Sequence, residues 1–168
     1  MIILGIDPGL ATTGYGILSG SEAHMKPVAY GSILTPPDWS ISCRLEAIYR
    51  QVTEIIDLYQ PIEIGVEELF FSRNVSTALV VGQARGVILL AAQQKGLKIM
   101  EYKPMEVKLA VTGYGRAEKK QVQQMVKILL GLAEIPKPDD TADALAIAIC
   151  HMQSRKMKAL EQQALGRN

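Results

Sequence analysis

Cysteine and histidine are scarce in this chain, two of each among 168 residues. Cys43 and Cys150 are too few for the disulfide framework of a small secreted domain. Joined by His24 and His151, they still fall short of a zinc cluster or a histidine-rich metal site. Long hydrophobic runs are absent as well: none approaches the ~18 to 20 residues that a membrane-spanning helix needs. The N-terminus leads from Met1 directly into Ile2-Ile3-Leu4-Gly5-Ile6-Asp7, with neither a basic lead nor a small-residue cleavage site. No signal peptide is therefore expected, and the chain reads as cytoplasmic. Its length suits one compact domain over residues 1–157, with 158–168 too poor in apolar anchors to be more than a flexible tail.

Net charge is also small, at +1, but its distribution is uneven. Residues 1–71 hold 3 basic and 9 acidic side chains, a balance of −6. Residues 72–132 hold 10 basic and 3 acidic, a balance of +7. Solvated surface charge alone accounts for such a pattern in many proteins. It equally suits a basic face beside an acidic pocket, and so a polyanionic partner.

Turn residues divide the chain into elements. Ile2–Asp7 is a short apolar strand closed by Pro8-Gly9, and 12–18 and 28–34 continue an antiparallel meander. Pro36-Pro37 breaks the chain before a helix capped by Ser40 or Ser42, which carries Leu45, Ile48, Val52, Ile55, Ile56 and Tyr59 at helical spacing and stops at Pro61. Strands at 62–67 and 97–101 enclose an amphipathic helix over 74–94. Helices follow from Pro104, over 118–130, and from Asp140 to about Arg155. The pattern predicts an α/β fold with a five-stranded mixed sheet flanked by helices. Within the 74–94 helix, Ala78, Gly82 and Gly86 form a small-residue column. Glycine inside a helix costs roughly 1 kcal/mol against alanine, so this column predicts a close packing contact.

Four acids stand out by context. Asp7 and Glu67 end apolar strands, and each follows a glycine by two residues, in Gly5-Ile6-Asp7 and Gly65-Val66-Glu67. Strand period two places that glycine on the acid's own face and sends Glu68 to the opposite one. Asp140 and Asp143 begin a helix that continues as Ala144-Leu145-Ala146-Ile147-Ala148-Ile149, apolar on every side and therefore buried. Three residues apart, the two aspartates share a face. Taken singly, each acid has an ordinary explanation: Asp7 as a turn residue, Asp139 or Asp140 as a helix cap, Glu67 as a solvated strand end. Together, four carboxylates in a partly apolar place repel one another and resist ionisation. Magnesium resolves that conflict as a hard cation preferring oxygen ligands, and manganese also suits such ligands. Two such ions can activate a water and stabilise the leaving oxygen of a phosphodiester.

Along nearly its whole length the chain resembles the RuvC family of Holliday-junction resolvases, within the RNase H-like (retroviral integrase) superfamily. The resemblance lies in the ordered set Ile3-Leu4-Gly5-Ile6-Asp7-Pro8-Gly9, Val66-Glu67-Glu68-Leu69-Phe70, Gly82-Gln83-Ala84-Arg85-Gly86, Lys119-Lys120-Gln121-Val122 and Asp140-Thr141-Ala142-Asp143-Ala144-Leu145-Ala146. It implies that Asp7, Glu67, Asp140 and Asp143 are the metal-binding catalytic acids of an endonuclease that nicks two opposed strands of a four-way DNA junction with Mg²⁺, in recombination and repair. It also implies a homodimer, and a partnership with the RuvA–RuvB branch-migration complex. Lys108 and Lys119 match lysines near the scissile phosphate, and Phe70 matches a ring that stacks on junction bases, with Phe71 beside it as the other choice. Arg73 and Arg116 of the basic segment join them as DNA-binding candidates. Ala78, Gly82 and Gly86 become candidate dimer contacts. Another RNase H-like nuclease and a non-catalytic junction-binding protein are the competing expectations. A nucleotide-binding module of the actin and sugar-kinase type shares only the Asp7-Pro8-Gly9 and Thr12-Thr13-Gly14 traces and needs a second lobe.

Overall fold

The computed structural model describes residues 1–69 and 75–164. Strands β1 (Ile2–Asp7), β2 (Thr12–Ser21) and β3 (His24–Leu34) lead to helix α1 (Ile41–Tyr59). Then come β4 (Glu63–Glu67), α2 (Val75–Gln94), β5 (Lys98–Tyr102), α3 (Pro104–Thr112), α4 (Lys119–Leu129) and α5 (Asp139–Ala164). The strands form one mixed sheet in the order β3-β2-β1-β4-β5. β1, β2 and β3 pair antiparallel, while β1–β4 and β4–β5 are parallel. This is the RNase H-like arrangement expected.

Alternation along the strands divides the core between two faces. Leu4, Ile6, Ile64 and Val66 face α1 and α2, where they meet Ile48, Val52 and Ile88. Ile3, Met100 and Tyr102 face the other way, against α3, α4 and the wholly buried stretch Ala144–Met152 of α5. α5 crosses all five strands.

Several boundaries differ from the sequence reading. The β2–β3 hairpin runs past the expected ends at residues 18 and 28 to a Ser21–His24 pair, because Gly20, at φ +118°, takes up the backbone conformation needed beside the turn. Ser40, not Ser42, caps α1 by accepting from the Cys43 amide at 3.3 Å. α2 is not amphipathic: Leu79 and Leu90 are exposed while Ala84, Ile88 and Ala91 are buried. α5 continues through Ala164 rather than ending near Arg155. Its extension is anchored by an amphipathic cation. Lys158 sets its ammonium over the Tyr102 ring, 5.4 Å from the centroid, and donates to Glu106 Oε1 at 3.0 Å, a cation–π contact that a search for apolar anchors passes over.

Candidate active site

Backbone register brings the two strand acids together. Gly5 pairs with Gly65 across the parallel β1–β4 ladder, and Ile6 with Val66, so Asp7 and Glu67 leave neighbouring strands at the same end and on the same face. Glu68 follows a different path, its amide donating to the Tyr102 carbonyl at 2.8 Å.

Glycines also bring the helix acids down to that edge. A Cβ on Gly5 would lie 2.4 Å from the Ala144 carbonyl oxygen, and one on Gly65 would lie 2.9 Å from His151 Cβ. On β2, Gly14 would meet the Asp140 carbonyl oxygen at 1.9 Å and Gly16 would meet Leu145 at 2.8 Å. Gly14 is paired with Asp7 and Gly16 with Gly5. The sheet under α5 is thus a bare patch on which the helix rests almost backbone to backbone. That close approach sets the start of α5, with Asp140 and Asp143, beside the ends of β1 and β4.

The electrostatics follow from this crowding. Burial first, then the charges of Glu67, Asp143 and Asp140, push Asp7 up to about 8, with Lys119 opposing. Glu67 is raised by burial and by Asp143, against Lys108 and Lys119. Asp143 is raised too, chiefly by burial, although Lys119 Nζ sits 2.8 Å from its Oδ2. Lys119 loses to burial but gains more from Asp143 and Asp139, so its ammonium is held above the usual lysine range. Glu67, Lys108, Lys119 and Asp143 line a cleft of 230 Å³ floored by Val107 and Ala146. Among the described residues no three acids, histidines or cysteines are already drawn close enough to enclose an ion. The donor set is nevertheless all carboxylate oxygen, with its repulsion only partly answered by the Lys108 and Lys119 ammonium groups. It fits a hard divalent cation.

The model of the family described as crossover junction endodeoxyribonuclease RuvC matches residues 3–151. The chain belongs to the RuvC family. A RuvC of Heliobacterium modesticaldum is 60% identical over 150 residues, covering 89% of this chain and 93% of its own. The structure of Thermus thermophilus RuvC superposes with a TM-score of 0.85 at 38% identity, covering 94% of this chain and 96% of that one. The same Thermus protein in complex with a Holliday junction substrate matches with the same TM-score and coverage, at 35% identity.

Within this RuvC fold the sequence candidates separate. Asp7, Glu67, Asp140 and Asp143 converge, with Lys108 and Lys119 at the same cleft. Arg116 is exposed in the turn between α3 and α4 and joins no ion pair among the described residues. Phe70, Phe71 and Arg73 lie outside the described residues. The small-residue column divides: Ala78 is 5% exposed and belongs to the interior, whereas a Cβ on Gly86 would meet nothing within 4 Å. Positions four apart drift around a helix by about 40° per step, which carries the column from the buried side to the surface. As a dimer contact Ala78 is therefore corrected, being covered within its own chain.

Sequence reasoning missed Gly14 and Gly16. Their signal was present, since a Gly-x-Gly alternation puts both on one face of a strand. It also missed Asp139, which stands 3.6 Å from Lys119 and 3.5 Å from Lys137. A third omission is a buried polar cluster behind the site. Arg155 grips Glu63 with Nε at 2.5 Å and Nη2 at 2.8 Å, and the Tyr102 hydroxyl bonds His151 Nδ1 at 2.8 Å. His151 Nε2 stands 3.5 Å from Glu63.

Proposed function

We propose that this RuvC-family endonuclease resolves four-way DNA junctions by paired, Mg²⁺-dependent hydrolysis, with Asp7, Glu67, Asp140 and Asp143 as its metal-holding acids. The convergence of these four carboxylates on one strand edge carries the reading. Such a set has no structural purpose of its own, because unpaired carboxylates cost stability. Two magnesium ions bound there, or manganese in their place, would supply an activated water and stabilise the leaving oxygen.

The chain's own groups prepare the rest. The carboxylate oxygens of Asp7 and Glu67, fixed by the sheet, and those of Asp140 and Asp143, fixed by α5, define where positive charge is taken up. Lys119 Nζ, tied to Asp143, and Lys108 Nζ across the cleft offer mobile donors to a phosphate oxygen. Val107, Ala146 and Ile147 line the cleft with apolar surface, where charge–charge attraction is stronger than in open water. Arg116 extends the basic surface along the DNA, while Arg73 is assigned a further phosphate contact and Phe70 the stacking of an unpaired base.

Cleavage of a synthetic four-way junction tests the proposal. Nicks at symmetric positions should require the divalent ion, and Asp7→Asn should cut slower by orders of magnitude while binding the junction as before. Wild-type rates in Asp7→Asn would remove the acid assignment.

Two cuts on a near-two-fold substrate call for two sites related by a two-fold axis, hence a homodimer. The exposed apolar face of α2, with Leu79, Gly86 and Leu90 around the half-buried Gly82, supports that pairing. Gly86→Leu should shift sedimentation toward monomer and turn paired cuts into single nicks. An unchanged dimer would mean another interface. Partnership with RuvA–RuvB and a cytoplasmic location complete the reading. For the latter, no described helix is long and apolar enough to cross a membrane.

A further inference from the structure

A second groove, of 510 Å³, opens beside Asp140 and shares no lining residue with the Glu67–Asp143 cleft. The Gly9–Thr12 turn, which follows directly from Asp7, forms one wall; Val80 and Val81 of α2 and Arg44 of α1 form the others. Arg44 is half-buried and held in a defined way. Its Nε donates to Thr35 Oγ1 at 2.7 Å and its Nη2 to the Thr35 carbonyl at 3.4 Å. Thr35, only 5% exposed, gives its own hydroxyl proton to the Leu10 carbonyl at 2.5 Å. Its amide donates to the Ala11 carbonyl at 3.1 Å. Thr35 therefore fastens the guanidinium to the very turn that continues from Asp7.

Every group that holds Arg44 among the described residues is neutral. Among the described residues it forms no ion pair, whereas Arg50, Arg85 and Arg155 each face a glutamate. Two of its five N–H donors are used among the described residues, which leaves three for an anion. A planar, always-charged fork of fixed orientation matches a phosphate better than a flexible ammonium does. The position completes the picture. Lys108 and Lys119 grip one side of the acids, and Arg44 stands on the Asp140 side.

We infer that Arg44 is a phosphate-binding residue, holding a backbone phosphate of the cleaved strand in the groove beside Asp140. The inference rests on the nuclease reading above. It gives the site a second grip from the first part of the chain, residues 1–71, whose charge balance is −6. Thr35 is its positioning residue.

The test is a set of synthetic four-way junctions, each with one phosphate near the cut replaced by a neutral methylphosphonate, bound in magnesium-free buffer. Arg44→Ala should weaken binding of the unmodified junction by roughly ten- to a hundredfold and lower the salt slope by about one. At one position the methylphosphonate should weaken wild-type binding and leave Arg44→Ala unaffected. Arg44→Lys should keep the salt slope and lose part of the affinity. Thr35→Val, which keeps the charge and frees its orientation, should blunt the response at the same phosphate, and it serves if Arg44→Ala does not fold. Identical methylphosphonate profiles in wild type and in a folded variant overturn the inference while leaving the nuclease reading in place. A wild type that neither binds nor cuts four-way junctions overturns both.

Discussion

Glu63 and Glu67 stand at opposite ends of β4, on one face of the sheet and beneath one helix, and their burial is answered in opposite ways. At Glu63 burial works to raise the carboxyl, but the hydrogen bonds and charge of Arg155, with His151 and Lys98 behind them, bring it below the ordinary range. At Glu67 burial is reinforced by Asp143, and the two lysines nearby do not reverse it. One carboxylate is neutralised by the fold. The other keeps an unanswered charge for a ligand. A single helix serves both, with Arg155 and His151 at one end of its buried stretch and Asp140 and Asp143 at the other.

Exchanging each glutamate for its amide breaks the comparison most directly. Glu67→Gln should lose cleavage by orders of magnitude, yet melt higher than wild type in metal-free buffer, because a repelled charge has gone. Glu63→Gln should do the reverse, leaving the half-buried Arg155 without its charge partner and losing about 1 to 3 kcal/mol of stability. Thermal or urea unfolding at neutral pH reads both. Equal signs would show that the two ends of β4 are not electrostatically distinct.

Acid should sharpen the same contrast through His151, which burial depresses from 6.5 to about 4. Between those values the unfolded chain takes up a proton that the folded one refuses, so stability falls as pH falls. The loss is roughly 3 kcal/mol once pH is below 4. The raised Glu67 and Asp143 act in the opposite sense, since the folded chain takes up their protons first. His151→Phe, which cannot titrate, should flatten the decline between pH 6.5 and 4. An unchanged slope would place the acid sensitivity elsewhere.

The smallest effects concern the helix seats. Gly5→Ala drives a methyl against the Ala144 carbonyl and should cost about 1 to 3 kcal/mol while slowing cleavage, because α5 must lift. Gly86→Ala meets open space and should gain up to about 1 kcal/mol from helix propensity. Paired unfolding curves separate the two glycines, and a similar loss in both would mean that contact with α5 is not what distinguishes Gly5.

Much of this was legible in the residues. Pro8-Gly9, Pro36-Pro37, Pro61, Gly96 and Pro104 punctuate the chain at element ends, so order and type followed from local chemistry. The pairing of Asp7 with Glu67 was readable too, because each acid carries its glycine two residues earlier and the parity of a strand does the rest. What failed depends on contacts made at long range. The end of α5 is held by Lys158 against Tyr102, a pair separated by 56 positions in sequence. Arg44 draws its orientation from a threonine in the β3–α1 connection, itself held by the Leu10 carbonyl 25 positions away. Ala78 and Gly86 look alike in the sequence and differ only in what lies above them.

The row of glycines beneath α5 has one further consequence. Where a helix rests on bare main chain, its height above the sheet is set by van der Waals contact with rigid backbone and not by the sum of interlocking side chains. The distance between the strand acids and the helix acids is then insulated from changes in core volume. Apolar exchanges among Ile48, Val52 and Ile88 on the far face can alter stability without resizing the acidic site. The same protection is absent at the glycines themselves, where a single added methyl would widen the gap between the strand acids and the helix acids.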